Sequence, residues 1–390
     1  MDSSSLHRGG SPSHGRLLPG VETPGSTYQA SPRLRRDGAY GAEFDEAARV
    51  EVLRGLVAIP SFSDGEAEAV AYLVDRMTAL GFAAHVDEAG NAVGTIGSGE
   101  RSIVLLGHID TVAGTIPVRI EDGVLHGRGA VDAKGPLATF VCAAAFAAGD
   151  ANARITVVGA VGEERIGSPG ATAVAKWPAP DYCVIGEPSG WDAVCLGYRG
   201  ALSVQYRLRQ AGRHSAGPGE SVGGRAVAFW NGLVTEIAAR NVDAQSAYWS
   251  LDASLRAFNT GSDGLHDTAA LSIGVRLPPG ADIDGLLDAI HGLGGEAEIT
   301  IEGRQEGYRT ERRSPITAPF LRAIRAQGGT PRFTLKFGTS DITVVGPVWK
   351  CPVVAYGPGD ASLDHTPEER IVLAEYLTAI RVLTDVLVAR

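Results

Sequence analysis

Short, predominantly apolar runs recur along this chain and alternate with segments of helical pattern. Three of the runs are 103–106, 155–161 and 182–185, and an Ala-rich helical segment lies at 136–148, between the first two. A continuously apolar strand is typical of burial on both faces, and strands that alternate with helices are typical of parallel sheets. The sequence therefore predicts an α/β fold, with helices covering both faces of a mostly parallel sheet.

The pattern changes near residue 199. Residues 201–209 alternate polar and apolar side chains, as a half-exposed strand does. The segments that follow complete the order β-α-β-β-α-β, which suits a small ferredoxin-like domain with one open sheet face. We therefore expect the following organisation: a disordered tail at 1–40, a catalytic domain formed by 41–198 and 304–390, and an inserted lid or dimerisation domain at 199–303.

Composition excludes several classes of function. The 390 residues carry a formal net charge of −10, which disfavours general binding to nucleic acid. No apolar run reaches the roughly 20 residues that span a bilayer, so we expect no membrane partner. The four cysteines form no C-x-x-C pair, which argues against a disulfide scaffold or a zinc finger. A cytoplasmic protein is the resulting expectation.

Histidine and acidic residues follow the predicted strands. These stretches are GHID at 107–110, GEE at 162–164, GEP at 186–188, and a longer one at 357–365 that ends in Asp-His. A fifth stretch, GRGAVD at 127–132, lies just before the Ala-rich helix. Since the carboxyl ends of parallel strands share one edge of the sheet, these side chains should gather there. Divalent cations would relieve the repulsion between the carboxylates, and mixed imidazole and carboxylate ligands fit zinc, or less tightly cobalt or manganese.

Spacing suggests roles within this cluster. His108 and Asp110 are two residues apart, so on a strand both side chains share a face, and Asp110 could hold the far ring nitrogen of a ligating His108. Glu163 and Glu164 are adjacent, so we expect their side chains to diverge. One could then bind a metal while the other acts as general base toward a water.

Together these motifs resemble the di-zinc aminoacylase and carboxypeptidase family, which includes acetylornithine deacetylase, succinyl-diaminopimelate desuccinylase and the [LysW]-lysine hydrolases. The resemblance covers about 44–390. The motifs that carry it are GHIDTV (107–112), GRGAVDAKG (127–135), GEE (162–164), GEP (186–188), GRHSAGP (212–218), GTSD (338–341) and YGPGDASLDHTPEE (356–369).

The resemblance implies hydrolysis of an amide by a water activated between two zinc ions, for which cobalt could substitute. It implies one zinc held by His108, Asp132 and Glu187, and a second held by Asp132, Glu164 and His365. Glu163 would be the general base. The family also implies a homodimer formed through 199–303, in which His214 reaches the partner's active site and helps stabilise the oxyanion.

The substrate is less constrained. The stretch from GTSD to HTPEE resembles most the [LysW]-lysine or -ornithine hydrolases, which belong to lysine and arginine biosynthesis. Their substrate is linked to the C-terminal glutamate of a small acidic carrier protein, as a γ-glutamyl amide. Residues 304–336 carry eight basic and two acidic side chains, so a carrier could dock there, or the segment could be a solvated face with one arginine for a substrate carboxylate. Further candidate substrate contacts are Arg276, Gly338, Thr339 and Ser340.

Two alternatives stay open. One is a deacetylase, desuccinylase or dipeptidase acting on small acyl-amino acids, although Ile342 and Thr343 stand where desuccinylases usually carry an arginine. The other is an inactive module that binds metal or carrier protein without catalysis. Covalent catalysis is disfavoured because the chain has no Gly-x-Ser-x-Gly elbow.

Overall fold

The computed structural model describes residues 44–214 and 218–389. The tail predicted at 1–40 lies outside them. The strands in the described part are β1 (Ala83–Val86), β2 (Ala92–Ile96), β3 (Arg101–His108), β4 (Arg119–Glu121), β5 (Val124–His126), β6 (Ala153–Ala160), β7 (Tyr182–Gly186), β8 (Ala193–Tyr198), β9 (Gly200–Ala211), β10 (Asp252–Ser262), β11 (His266–Leu277), β12 (Glu298–Gln305), β13 (Tyr308–Arg309), β14 (Arg332–Lys336), β15 (Val353–Ala355) and β16 (Arg370–Val372).

The helices in the same residues are α1 (Glu46–Ala58), α2 (Ala67–Ala79), α3 (Lys134–Ala147), α4 (Pro169–Val174), α5 (Val222–Arg240), α6 (Ile283–Gly294), α7 (Thr317–Ala326), α8 (Ile342–Trp349) and α9 (Leu373–Val388). Short 3₁₀ turns lie at Ala247–Trp249 and Ala361–Leu363. Within these residues, no helix combines the length and the apolar character that crossing a membrane requires.

The larger sheet has the strand order β1-β2-β6-β3-β7-β15-β8-β13, and β14 also pairs with β8. Its centre is parallel, since β6, β3, β7 and β15 all run in one direction. The pairs β1-β2 and β2-β6 at one end are antiparallel. The predicted α/β class is therefore confirmed, and the carboxyl ends of four adjacent strands meet at one edge.

Helix α3 shows why this sheet is well buried. Every residue from Lys134 to Ala147 is buried, and α3 packs against β3 on one side and α1 and α9 on the other. Its many alanines let these neighbours approach closely from all directions. A helix that is apolar all round is stable only inside a core.

A second, four-stranded sheet has the order β10-β11-β9-β12, and all its neighbouring pairs are antiparallel. Helices α5 and α6 pack on one face, over a core that includes Val204, Leu271 and Ile273. The opposite face of the sheet, which we call the open face, carries no helix of this set. The described residues of both sheets belong to one compact unit.

Some predicted boundaries and elements differ from the structure. The sequence pattern predicts a final helix over about 367–388, whereas α9 begins at Leu373 because residues 370–372 form β16 and pair with β5. The sequence favours Ser63 or Asp64 near the cap of the second helix, whereas α2 begins after Glu66 without a side-chain cap. The sequence prediction has no counterpart for helix α8 or for strands β4, β5, β8, β13, β14 and β16.

Candidate metal centre

The predicted histidine and carboxylate side chains converge at the carboxyl edge of the parallel strands, which we call the rim. His108 is the last residue of β3, and Glu187 follows β7 directly. Glu163 and Glu164 come just after β6, and His365 lies in the loop after β15. Because β6, β3, β7 and β15 are adjacent and parallel, residues far apart in sequence become neighbours here.

Asp132 lies at the centre of this cluster, in the loop before α3. Its Oδ1 atom is 3.1 Å from Nε2 of His108, and its Oδ2 atom is 3.0 Å from Nε2 of His365. Nε2 of His365 is also 2.9 Å from Oε1 of Glu164. One carboxylate therefore faces two imidazoles with different oxygens, which is the arrangement that a bridging ligand between two cations requires.

Three sets of potential ligand atoms each fit within 4.8 Å. The sets are His108 with Asp132 and Glu187, Asp132 with Glu164 and His365, and His108 with Glu163 and Glu164. The first two sets share Asp132 and have the same members as the two ligand sets that the family resemblance implies.

Asp110 is fully buried, and its carboxylate organises the backbone around the rim. Oδ1 accepts a hydrogen bond from the Glu163 amide at 3.0 Å, and Oδ2 accepts from the Glu164 amide at 3.1 Å and from the Ser63 hydroxyl at 2.7 Å. Nδ1 of His108 lies 3.0 Å from the Asp110 carbonyl oxygen and 3.6 Å from its carboxylate. Asp110 thus holds the far nitrogen of His108 most closely through its carbonyl oxygen, with its carboxylate at a longer distance.

The two adjacent glutamates do not diverge as adjacency in a strand would require. They lie in a turn after Gly162, whose φ of 70° is a left-handed conformation that favours glycine. In this turn both carboxylates approach His108. The Glu164 carboxylate lies within hydrogen-bond distance of His365 and forms one ligand set with His365 and Asp132. No hydrogen bond to the Glu163 carboxylate is found within the described residues.

Glu369 holds the loop that carries Asp132. Its buried carboxylate accepts hydrogen bonds from the backbone amides of Val131 and Asp132, at 3.0 and 3.1 Å. Its other oxygen forms an ion pair with Nη1 of Arg128 at 2.7 Å. All of these contacts fix the position of Asp132 from outside the ligand sets.

The electrostatic environment favours bound cations. Burial raises the pKa of Glu163 and Glu187 well above the ordinary range for glutamate. Burial also raises the pKa of Asp341 to about 7 and that of Asp364 to about 8. Hydrogen bonds to Asp132 and Glu164 raise the pKa of His365 to about 10. Each shift reflects negative charge gathered in a poorly solvated place.

The donor set fits divalent metal ions. Both carboxylate oxygens of Asp341, and Oδ1 of Asp364, are buried without a hydrogen-bond partner in the described part of the chain. Within the same residues, no lysine or arginine forms an ion pair with Asp132, Glu163 or Glu187. Uncompensated carboxylates beside imidazoles are the environment that zinc and similar cations stabilise.

A cavity of about 360 Å³ opens beside this cluster, between the rim and the open face. Of the candidate substrate contacts, Arg276, Gly338 and Thr339 line it. Ser340 is buried and does not line the cavity; its carbonyl oxygen instead accepts from the Thr343 hydroxyl near the start of α8. His214 is exposed in the loop after β9 and is not part of the lining.

Sequence reasoning assigned no role to several residues of the site. Asp341, Asp364 and Glu369 all lie inside the quoted motifs, and the first two are next to Ser340 and His365, which did receive a role. Tyr198, whose hydroxyl lies 3.4 Å from Oε2 of Glu187, belongs to the stretch where the pattern changes. Arg256 also lines the cavity, and nothing in the local sequence marks it.

Comparisons with known proteins agree with this site. The chain is 44% identical to the [LysW]-lysine hydrolase of Deinococcus radiodurans over 354 residues, which cover 88% of this chain and 97% of that protein.

Two solved structures share the fold. One is the M20 family metallo-carboxypeptidase Sso-CP2 from Sulfolobus solfataricus, with a TM-score of 0.72 and 18% identity over 87% of this chain and 98% of that one. The other is the YXEP protein of Bacillus subtilis, described as a dinuclear metal binding peptidase from the M20 family. Its TM-score is 0.64, with 11% identity over 88% and 97% of the two chains.

The sequence model of Peptidase family M20/M25/M40 matches residues 104–389. This match contains the carboxyl end of every strand of the rim and both halves of the ligand cluster. Together with the relative described above, it confirms the resemblance noted from the motifs: the chain is an enzyme of the hydrolase class and belongs to Peptidase family M20/M25/M40.

Proposed function

We propose that this enzyme hydrolyses the amide that links lysine or ornithine to an acidic carrier protein, and so completes a step of lysine or arginine biosynthesis. The proposal rests on the position of Asp132, whose two carboxylate oxygens face His108 and His365 separately. Asp132 also lines a cavity that is large enough for an amino acid. The identity of 44% to a [LysW]-lysine hydrolase supports the choice of substrate. The predicted cytoplasmic location stays a prediction.

The proposed cofactor is a pair of zinc ions. His108, Asp132 and Glu187 would hold one ion, and Asp132, Glu164 and His365 the other. When bound, such a pair lowers the pKa of water and polarises an amide carbonyl. Asp110 and Glu369 keep the ligands in place through the hydrogen bonds described above.

Glu163 is the proposed general base. Its carboxylate lies beside His108 but outside the set formed by Asp132, Glu164 and His365, so it is available to a water in the cavity. Burial raises the pKa of Glu163 well above the ordinary range for glutamate. A raised pKa makes this carboxylate a stronger base, so it can accept a proton from water during the reaction. Glu163 then returns this proton to the amine nitrogen that leaves.

The carrier-linked amino acid needs a partner for its own carboxylate. Arg276 supplies a half-buried guanidinium on the wall of the cavity opposite the rim, and burial lowers its pKa. A carboxylate bound there would orient the amide toward Glu163. Gly338 and Thr339 line another part of the wall and would limit the size of the bound group.

The basic segment that follows β12 is the proposed docking surface for an acidic carrier. Arg304 and Arg332 are neutralised by ion pairs with Asp284 and Asp192. Arg312 and Arg313 are exposed, and neither forms an ion pair within the described residues; the guanidinium of Arg312 lies over the Phe333 ring. These two arginines therefore offer positive charge to an acidic partner.

The proposed active form is a homodimer through residues 199–303. Exposed apolar side chains support this surface: Val227 and Val234 on α5 are 44% and 43% exposed, and Leu255 and Phe258 on the neighbouring edge strand β10 are 38% and 43% exposed. Unpaired edge strands and exposed apolar patches are typical of association surfaces. His214, which does not line the cavity of its own chain, would act across this dimer.

The proposal is tested by supplying carrier-linked lysine, carrier-linked ornithine, acetylornithine, succinyl-diaminopimelate and a dipeptide to the purified enzyme. We expect carrier-linked substrate to be hydrolysed fastest, with loss of activity after chelation and recovery on adding zinc. Faster turnover of an acetyl or succinyl substrate would favour the deacetylase or desuccinylase alternative. Bound zinc without hydrolysis of any of the five would favour an inactive binding module.

A further inference from the structure

Arg256 is held in the cavity by two features of the open face. The first is a break in the pairing of β10 with β11. Leu255 pairs with Ile273 and Ala257 pairs with Ser272, so Arg256 has no partner residue in the register. Such a bulge turns a side chain away from the direction that regular alternation would give it.

The second feature is Gly274, on the neighbouring strand β11. A Cβ atom at this position would overlap the Nη2, Nε and Cζ atoms of Arg256. The guanidinium of Arg256 therefore lies directly against the main chain of Gly274, in the space that a Cβ atom there would occupy. The bulge and Gly274 together place the guanidinium of Arg256, which would otherwise be free in solvent, at a defined position on the cavity wall.

This position brings Arg256 next to Arg276. Residues 274 and 276 are two apart on β11, so they share one face of the sheet, and their buried neighbours Ile273 and Val275 face the helices. The nearness of the two positive charges also contributes to the lowered pKa of Arg276, after burial. Two guanidinium groups thus lie side by side on the cavity wall.

Neither guanidinium has a carboxylate partner at ion-pair distance among the described residues, although the charge of Asp252 acts on Arg276 from farther away. In the described part of the chain, no ion pair joins Arg256 or Arg276 to a carboxylate within 4.0 Å. Glu302, which lines the same cavity, accepts instead from the Gln205 amide at 3.3 Å. Two unpaired like charges at close range repel each other, and anions in the cavity would relieve this repulsion.

We propose that Arg256 is a specificity-determining residue that binds a second carboxylate of the substrate, on the acyl side of the amide, beside the carboxylate bound by Arg276. A carboxylate can satisfy one guanidinium through two parallel hydrogen bonds, so two adjacent guanidinium groups match two carboxylates. The substrate class is a dianion in which both groups joined by the amide carry a carboxylate. This inference rests on the proposed function and narrows its substrate.

Two small substrates test it, because they differ in one carboxylate. Nα-(γ-glutamyl)-lysine carries a carboxylate on both sides of the amide, and Nα-(4-aminobutanoyl)-lysine lacks the one on the acyl side. Arg256 is exposed, so Arg256→Gln should leave the fold intact. We expect this variant to lower kcat/KM for the first substrate by about 10- to 100-fold, mostly by raising KM. For the second substrate we expect kcat/KM to change by less than about threefold. Arg256→Lys should keep only part of the preference for the first substrate, because lysine lacks the planar guanidinium that binds a carboxylate through two hydrogen bonds.

Gly274→Ala is an independent test, since it keeps Arg256 but displaces its guanidinium, and it should reduce the same selectivity. Arg207→Gln is the matched control: Arg207 is exposed on β9 and does not line the cavity. If Arg256→Gln lowered kcat/KM equally for both substrates, or for neither, the inference would be overturned while the proposed function stands. A wild-type enzyme that hydrolyses neither small substrate nor the carrier-linked one would overturn both.

Discussion

The rim and the open face supply charged side chains to the same cavity, yet they hold them in opposite ways. At the rim, the Asp110 carboxylate accepts three hydrogen bonds, and the Glu369 carboxylate accepts two and forms an ion pair. On the open face, Arg256 and Arg276 line the cavity without a carboxylate partner among the described residues.

The difference separates two tasks. The groups proposed to hold metal and move protons are oriented by the protein itself, so little reorganisation is needed when the reaction occurs. The arginines proposed to recognise the substrate are positioned by the backbone, but their charge is left for the ligand to neutralise. We therefore expect substitutions at the rim to affect every substrate, and substitutions toward the open face to affect substrates selectively.

Glu163→Gln gives the largest expected effect. The amide cannot take up a proton, so kcat should fall by about 10²- to 10⁴-fold on every substrate, with metal content unchanged. Steady-state kinetics and elemental analysis of the purified variant measure both. Glu121→Gln, an exposed position on β4, is the control. Near-normal turnover by Glu163→Gln would show that another group is the base.

His365→Ala should remove a ligand from one of the two sets. We expect loss of about one metal equivalent per chain and a large fall in activity on all substrates. His85→Ala, in an exposed strand far from the rim in the sheet order, is the matched control. Metal stoichiometry that stays at the wild-type value would contradict ligation by His365.

Glu369→Gln tests whether the contacts that hold the Asp132 loop affect metal binding and activity as much as the predicted ligands do. The amide loses the ion pair with Arg128 and cannot accept with both oxygens equally, so Asp132 should become less fixed. We expect metal affinity or activity to fall by about 10- to 100-fold, again on every substrate. Glu368→Gln, at the exposed neighbouring position, should change neither. If both variants behave alike, the support proposed for Glu369 is wrong.

Reversing charge at Arg312 and Arg313 should give the smallest and most selective effect. We expect kcat/KM for carrier-linked lysine to fall by about 3- to 10-fold at low salt, with less difference at high salt, and no change for small acyl-amino acids. Arg154→Glu, at the exposed start of β6 and so at the opposite end of the strand from the rim, is the control. Equal effects on both kinds of substrate would exclude docking at this surface.

Much of the larger sheet could be predicted from local sequence, because its central strands are continuously apolar and its helices have clear limits. Helix α8 could not: it contains Pro347 and β-branched residues, which favour other conformations, and it is held by packing against α4 and β15. Strand β14 is short and half-exposed, and its identity as a strand depends on parallel pairing with β8, more than 100 positions away in the sequence.

The same distinction applies to the site. His108, Glu163 and Glu187 could be predicted to meet because each follows a strand, and strand ends of a parallel sheet share an edge. The convergence of Glu163 and Glu164 depends on the turn after Gly162, which adjacency in the sequence does not specify. The position of Arg256 depends on a bulge and on a glycine of another strand, so it becomes visible only once those strands are paired.

The link from Glu369 to the loop of Asp132 also has a consequence for biosynthesis of the protein. Asp132 and Glu369 are 237 positions apart in the sequence, so His108 and Asp132 emerge from the ribosome well before His365 and Glu369. A nascent chain can complete the parallel sheet only after β15 has emerged, and the ligand cluster only after His365. A chain cut before residue 365 would therefore keep His108 and Asp132 but lack His365 and the support that Glu369 gives to the loop of Asp132.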